Sequence, residues 1–106
     1  MKFKDYHIDN KLKSQLDYLG FKRPTDIQFR AIQAILDGED VMAVAPTGTG
    51  KTAAFAIPVL QQIIQDRKAN NRRISALVLV PTRELAKQIA EVFATIGMKT
   101  GIKVLG

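Results

Sequence analysis

The segment Ala45-Pro46-Thr47-Gly48-Thr49-Gly50-Lys51-Thr52 constrains the fold of this chain more than any other feature. It lies between a short apolar run, residues 41–45, and a helical pattern that begins near Lys51. A turn that ends in Gly-Lys-Thr between a strand and a helix is typical of a phosphate-binding loop, although Ala45 stands where the usual pattern has its first glycine. The alternative is an ordinary Gly/Thr turn after a strand, which the Gly-Lys-Thr ending disfavours.

The chemistry of this loop suits a polyphosphate. Gly48 and Gly50 permit backbone conformations that other residues avoid, so that their N–H groups can approach phosphate oxygens. Lys51 supplies a positive charge for the β- and γ-phosphates, and the Thr52 hydroxyl can bind Mg²⁺. Because a helix begins near Lys51, the anion would also lie at a positive helix end. The segment therefore predicts a site for a nucleotide with Mg²⁺.

Hydrophobic periodicity predicts two helices before the loop and two after it. Each predicted helix has an inward apolar stripe: Leu12, Leu16 and Leu19 between Asn10 and Leu19; Ile27, Ala31 and Ile35 between Thr25 and Gly38; Phe55, Val59 and Ile63 in the helix that starts at Lys51; Leu85, Ile89, Phe93 and Ile96 between Arg83 and Ile96. Pro58 lies inside the third helix, where it predicts a kink or a local break.

Three apolar runs predict buried strands, at residues 41–45, 76–80 and 102–105. The predicted order is αα–β–α–β–α–β, which requires parallel strands joined by right-handed crossovers. The fold class is therefore α/β. The last strand runs to Gly106 with nothing to cover it, so we expect an incomplete domain with a bare sheet edge.

Composition limits the other classes of function. The 106 residues allow at most one small domain, and the net charge of +6 is compatible with a polyanionic partner, although the basic residues are scattered. The absence of cysteine excludes a disulfide framework and a cysteine-based metal site, and the single histidine, His7, excludes a multi-histidine cluster. No apolar run approaches membrane-spanning length and the N-terminus lacks a signal-peptide pattern, so we expect no membrane contact and a cytoplasmic protein.

Two further segments accompany the phosphate-binding loop: residues 20–28, Gly-Phe-Lys-Arg-Pro-Thr-Asp-Ile-Gln, and residues 81–86, Pro-Thr-Arg-Glu-Leu-Ala. Together the three segments resemble the Q motif, motif I and motif Ia of the DEAD-box RNA helicases. The loop of that family commonly begins with alanine, so Ala45 fits the resemblance. The resemblance spans nearly the whole chain and implies a RecA-like domain, with a Q-motif region at about residues 1–38 and a P-loop βαβ region at about 39–106.

Gln28 has two interpretations. Thr25 and Gln28 satisfy the S/T-x-x-E/Q capping box, so Gln28 could serve only to cap its own helix. The resemblance implies instead that the Gln28 amide recognises adenine, since an amide carries both the donor and the acceptor that the N6/N7 edge requires. It also implies that Phe3 stacks on the base, whereas the alternative is that Phe3 docks on the core. Phe21 is expected to pack inside the motif.

The segment from Pro81 to Glu84 also has a plain structural interpretation. Pro81 ends a strand, Thr82 caps a helix, and Glu84 favours the positive helix end. Arg83, however, lies in the first turn against that preference, which suggests another use. The resemblance implies that Pro81, Thr82, Arg83 and Glu84 contact the RNA backbone, where such contacts position a strand without reading its sequence.

The resemblance implies a parent protein that binds ATP and Mg²⁺ and unwinds or remodels RNA. The chain contains neither Asp-Glu-Ala-Asp nor Ser-Ala-Thr, so we expect the 106 residues alone to be inactive. We expect the remainder of the helicase chain to be their partner. We also expect the 106 residues to self-associate through the bare sheet edge. Two alternatives remain open. A generic P-loop NTPase or kinase explains the loop alone, and a non-catalytic RNA-binding module would use the chain as it stands.

Overall fold

The computed structural model describes residues 1–46, 50–68 and 75–105. Within these ranges the chain forms four α-helices: α1 (Asn10–Tyr18), α2 (Asp26–Leu36), α3 (Lys51–Lys68) and α4 (Arg83–Ile96). Short 3-10 turns occupy Phe3–Asp5 and Met98–Thr100. All four predicted helices are thereby confirmed in their positions along the chain. No helix in these ranges has both the length and the apolar character needed to cross a membrane.

Side-chain caps determine where the helices begin. The Asp9 carboxylate accepts a hydrogen bond from the Lys11 N–H at 2.8 Å and so starts α1. Thr82 Oγ1 accepts from the Leu85 N–H at 3.1 Å and so starts α4. Caps of this kind typically contribute about 1 kcal/mol to stability. They place α4 directly after the Pro81-Thr82 turn, as the sequence predicts.

The core lies where α3 packs between α2 and α4, with α1 and the first 3-10 turn covering one side. Side chains from all four helices contribute to it, and several are completely buried: Leu12, Leu16, Ile32, Ile57 and Leu60. Buried apolar area of this kind stabilises a fold by about 25 cal/mol per Å². The predicted stripe of α1 is confirmed by Leu12 and Leu16, whereas in α2 the residue at the centre of the core is Ile32.

The inward face of α3 differs from the predicted one. Phe55, Val59 and Ile63 are only partly buried, whereas Ile57 and Leu60 have no exposed surface. Because α3 is apolar around most of its circumference and contacts two other helices, periodicity alone could not choose among its stripes. The predicted break in α3 is absent, since the helix runs without interruption through the buried Pro58.

Helix α4 is buried only in its second half. Phe93 and Ile96 enter the core as predicted, but Leu85 is 37% exposed, so the prediction that it points inward is wrong. The predicted fold packs α4 against strands, but the described structure has no strand beside the first turn of α4. The start of α4 is therefore a surface feature.

The three predicted strands do not form a hydrogen-bonded sheet in the part of the chain that the structure describes. Residues 41–45, 76–80 and 102–105 carry no strand assignment. Five of their apolar side chains are largely exposed, namely Met42 95%, Val44 91%, Leu77 79%, Leu79 84% and Leu105 95%, whereas Ile102 and Val104 are partly buried against the helical core. A strand exists only through pairing with a neighbour, and these segments do not pair with one another. The parallel sheet thus stays a prediction.

Candidate functional site

The end of the predicted phosphate-binding loop coincides with the start of α3. Gly50 has a positive φ of 81°, and its carbonyl accepts the Ala54 N–H at 3.1 Å, the first hydrogen bond of the helix. Lys51 and Thr52 therefore lie in the first turn, where free N–H groups and the helix dipole favour an anion. Lys51 is exposed and Thr52 is half-buried. The predicted contacts of Thr47, Gly48 and Thr49 lie outside the described residues.

The first part of the loop is described as well. Ala45 is half-buried and Pro46 is exposed, both with coil backbone, directly after the apolar run that begins at Val41. These two residues thus connect the apolar run to the loop. Their contacts with a nucleotide stay a prediction.

Gln28 joins α2 to the phosphate-binding loop. Its Oε1 accepts the Thr25 N–H at 2.9 Å, and the Thr25 hydroxyl accepts the Gln28 N–H, so both halves of the capping box are present. Its Nε2 donates to the Gly50 carbonyl at 3.2 Å. Gln28 is only 5% exposed, so these bonds hold a buried amide in one orientation. The capping interpretation is therefore confirmed, and the same side chain also reaches the end of the loop.

Gly50 is required at this position for two reasons. Its φ of 81° is a left-handed conformation that residues with a side chain rarely adopt. A Cβ atom at Gly50 would also collide with Gln28 Nε2 and approach Thr25 Oγ1. The close approach of the two segments thus depends on a residue without a side chain.

Phe3 is packed into the core. Its ring is 3% exposed and lies 6.2 Å from the Tyr6 ring and 5.9 Å from the Phe21 ring, measured between centroids. Its N–H donates to the Lys22 carbonyl at 3.1 Å, which ties the N-terminus to the segment after α1. Burial raises the pKa of the neighbouring Tyr6 hydroxyl. The docking interpretation describes the observed contacts of Phe3, and stacking on a base stays a prediction.

The four residues from Pro81 to Glu84 are all exposed at the start of α4. Thr82 caps the helix with its side chain, and its carbonyl accepts the Ala86 N–H at 3.1 Å. Among the residues that the structure covers, Arg83 makes no ion pair, so its guanidinium is available to an external phosphate. The capping role of Thr82 is confirmed, while the RNA contact of this segment is untested.

Sequence reasoning missed the bond between Gln28 and Gly50. The two residues are 22 positions apart, and neither periodicity nor composition relates them. It also missed two buried glutamines that hold the helices together: Gln61 Oε1 accepts the Asp9 N–H at 2.7 Å, and Gln15 Nε2 donates to the Thr95 carbonyl at 2.8 Å. A polar residue inside an apolar helical stripe is the signal that could have indicated them.

Comparison with known proteins agrees with this geometry. The family model described as DEAD/DEAH box helicase matches residues 25–106. The ATP-dependent RNA helicase DBP9 of Coccidioides immitis is 49% identical over 89 residues, which are 82% of this chain and 14% of that protein. The ATP-dependent RNA helicase DHH1 of Yarrowia lipolytica is 47% identical over 103 residues, 97% of this chain and 19% of that protein.

A solved structure supports the same assignment. The crystal structure of a DEAD box protein from the hyperthermophile Methanococcus jannaschii superposes with a TM-score of 0.81 and 37% identity, covering 91% of this chain and 25% of that one. The chain thus spans between 14% and 25% of the length of these relatives. The fold and the sequence agree that this chain belongs to the DEAD/DEAH box helicase family.

Proposed function

We propose that the chain is the ATP-binding part of an ATP-dependent RNA helicase, in which residues 1–38 recognise the base and residues 39–106 carry the phosphate-binding loop and an RNA contact. The whole protein would couple ATP binding and hydrolysis to RNA unwinding or remodelling in the cytoplasm. The observation that carries this proposal is the Gln28 amide, which lies against the Gly50 carbonyl at the end of the loop.

The Gln28 amide keeps the capacity to recognise adenine. An amide has two N–H donors and two acceptor lone pairs, and the bonds to Thr25 and Gly50 use one of each. The remaining lone pair can accept from the adenine N6 amino group, and the remaining N–H can donate to N7. Guanine presents an acceptor at O6 in place of the donor at N6, so this arrangement favours adenine.

The start of α3 suits the phosphates and the metal. Exposed Lys51 and the free N–H groups of the first turn would neutralise phosphate charge, while the Thr52 hydroxyl would contribute one Mg²⁺ ligand. Because Gly50 carries no side chain, the Gln28 amide can lie directly against the end of the loop, beside the proposed phosphate contacts. When bound, Mg²⁺ supplies the charge that holds the β- and γ-phosphates in a reactive geometry.

The exposed start of α4 is the proposed RNA contact. The Thr82 hydroxyl, the Arg83 guanidinium and the N–H groups of the first turn face solvent together, which suits a phosphate of the RNA backbone. The remainder of the helicase chain is the proposed partner for the exposed apolar segments at residues 41–45 and 76–80, since buried neighbours would satisfy both their side chains and their backbone groups.

We expect Lys51→Ala and Gln28→Ala to affect nucleotide binding in different ways. Lys51→Ala should weaken ADP and GDP by the same factor, because a phosphate contact is independent of the base. Gln28→Ala should mainly reduce the preference for ADP over GDP, since the hydrogen bonds to the adenine edge are lost; a site that reads such groups commonly discriminates by about 1–3 kcal/mol. Calorimetric titration of both variants with both nucleotides measures the effect.

The unmodified chain provides the decisive comparison for this experiment. If it binds ADP and GDP with equal affinity, Gln28 does not read the base. Gln33→Ala is a matched control, since Gln33 is an exposed glutamine on the same helix whose amide donates to Asp37. It should leave both affinities unchanged.

The chain alone should show no ATP turnover, with or without RNA. Phosphoryl transfer depends on acidic residues that hold Mg²⁺ and orient water together with charges from other segments, and the sequence contains no Asp-Glu-Ala-Asp or Ser-Ala-Thr. Phosphate release should therefore be the same for the unmodified chain and for Lys51→Ala. Turnover that disappears in Lys51→Ala would mean that another carboxylate, such as Glu84, serves catalysis.

A further inference from the structure

A basic cleft lies on the side of the molecule formed by the first 3-10 turn and α1. Its volume is about 200 Å³. Seven residues line it, four of them lysines: Lys2, Lys4, Lys13, Lys22, Phe3, Phe21 and Asp17. We call these four the cleft lysines. Gln28, Lys51 and Thr52 do not line the cleft, whereas Phe3, the residue predicted to stack on the base, does.

The cleft has an excess of positive charge. Its single carboxylate, Asp17, is paired with Lys22 at 2.5 Å, and both side chains remain about 70% exposed. The Asp5 carboxylate accepts the backbone N–H of Lys2 at 2.9 Å and is the next acidic group. In the described part of the chain, Lys2, Lys4 and Lys13 make no ion pair. These three lysines thus line one cleft without a carboxylate partner.

The positive surface continues along α1. Lys99 donates to the Ser14 hydroxyl at 2.8 Å, and its ammonium lies 5.8 Å from the centre of the Tyr18 ring. The pKa of Asp17 is lowered mainly by Lys22 and also by Lys99, so both ammonium groups act on the same carboxylate. Tyr18 is 79% exposed, which leaves much of its aromatic ring in solvent beside Lys99.

We propose that the cleft lysines, together with Lys99 and Tyr18, form a second binding surface for the sugar-phosphate backbone of single-stranded RNA. Positive charges that follow a surface, interleaved with an exposed ring on which bases can stack, are the chemistry that binds single strands without sequence preference. The cleft is smaller than the 300–1,000 Å³ typical of small-molecule pockets, so it suits an extended strand better than an enclosed ligand.

This surface rests on the proposed function in one respect, namely that RNA is a partner of the chain. It does not depend on the proposed contact at residues 81–84, because the cleft is lined by the N-terminal turn, α1 and the segment after it. An acidic peptide is the competing occupant. It would match the charge, but it would make no use of the exposed Tyr18 ring.

The test is a triple variant with Lys2→Gln, Lys4→Gln and Lys13→Gln, titrated with a fluorescent oligouridine at several salt concentrations. Each phosphate contact contributes about 0.7 to the slope of log affinity against log salt for a single strand. The triple variant should therefore bind more weakly, with a slope smaller by about 2. Asp17→Asn should act in the opposite direction, because it removes a negative charge and releases Lys22.

A second triple variant, Lys11→Gln, Arg30→Gln and Lys103→Gln, is the matched control. It removes the same charge from exposed positions that do not line the cleft. Equal slopes for the two triple variants would show that only net charge matters and would overturn the proposal. Loss of ADP binding in the first variant would assign the cleft to the nucleotide. Stronger competition by polyglutamate than by unlabelled oligouridine would assign the cleft to a peptide. Either result would also overturn the proposal of an RNA surface.

Arg83→Gln separates this proposal from the proposed RNA contact at α4. If Arg83→Gln leaves RNA binding unchanged while the cleft variant reduces the slope, the α4 contact fails and the second surface stands. If Arg83→Gln alone weakens binding, the reverse holds. Tyr18→Ala should weaken oligouridine without changing the slope, since stacking releases no counterions.

Discussion

Gly50→Ala is expected to lower the free energy of unfolding by about 3–4 kcal/mol and to remove the preference for ADP over GDP. An alanine at a φ of 81° costs about 1–2 kcal/mol. Its Cβ would also force the Gln28 amide away from Gly50 and Thr25, and each lost hydrogen bond costs about 1 kcal/mol. Urea titration measures the first effect and calorimetry with the two nucleotides measures the second.

Gly20→Ala is the matched control, because Gly20 has a φ of 87° but a Cβ atom there would meet nothing within 4 Å. Gly20→Ala should lower the free energy of unfolding only by the cost of the left-handed backbone, about 1–2 kcal/mol, and it should leave the preference for ADP over GDP intact. In a Gln28→Ala background, Gly50→Ala and Gly20→Ala should lower the free energy of unfolding by the same amount. If Gly50→Ala still costs more there, the collision with Gln28 is not the cause.

The features that could be predicted from the sequence are those decided by neighbouring residues. The caps at Thr25 and Thr82 and the first turn at Lys51 each depend on hydrogen bonds between residues no more than four positions apart. Local hydrogen bonding of this kind is encoded within about four positions, so the four helices lie where periodicity and caps predict them. The family resemblance rests on the same short segments and is confirmed.

The features that could not be predicted depend on contacts between distant segments. The buried face of α3 follows from packing against two other helices, so Ile57 and Leu60 rather than Phe55 and Val59 have no exposed surface. The bond from Gln28 to Gly50 joins two motifs whose relative placement no local pattern encodes. The three strands stay a prediction for the same reason, since an apolar run indicates an extended segment but not its partner.

These two kinds of contact meet at the candidate site. Gln28 is held by a local bond to Thr25, which the capping pattern predicts, and by a distant bond to Gly50, which it does not. The local bond orients the amide, and the distant bond aligns it with the start of α3. Because one side chain makes both, a change at either partner should alter base recognition.

The exposed apolar segments at residues 41–45 and 76–80 predict that the isolated chain self-associates. Val44 is 91% exposed and Leu79 is 84% exposed, each in a non-helical segment that carries no strand assignment in the described structure. Such edges pair readily with other chains, and a charged side chain on an edge suppresses the pairing. Light scattering should give a mean mass above the 11.7 kDa of one chain, rising with concentration. The double variant Val44→Lys and Leu79→Lys should restore the monomer.

The double variant Phe29→Lys and Met98→Lys separates strand pairing from simple charge repulsion. Phe29 is 52% exposed and Met98 is 68% exposed, so the change adds the same two charges at apolar surface positions. Both residues lie in helical segments, where the backbone is hydrogen-bonded within the chain and offers no edge to a second copy. This control should continue to associate. If both double variants are equally monomeric, net charge alone governs association. If the unmodified chain is a monomer at every concentration, the segments that contain Val44 and Leu79 do not pair.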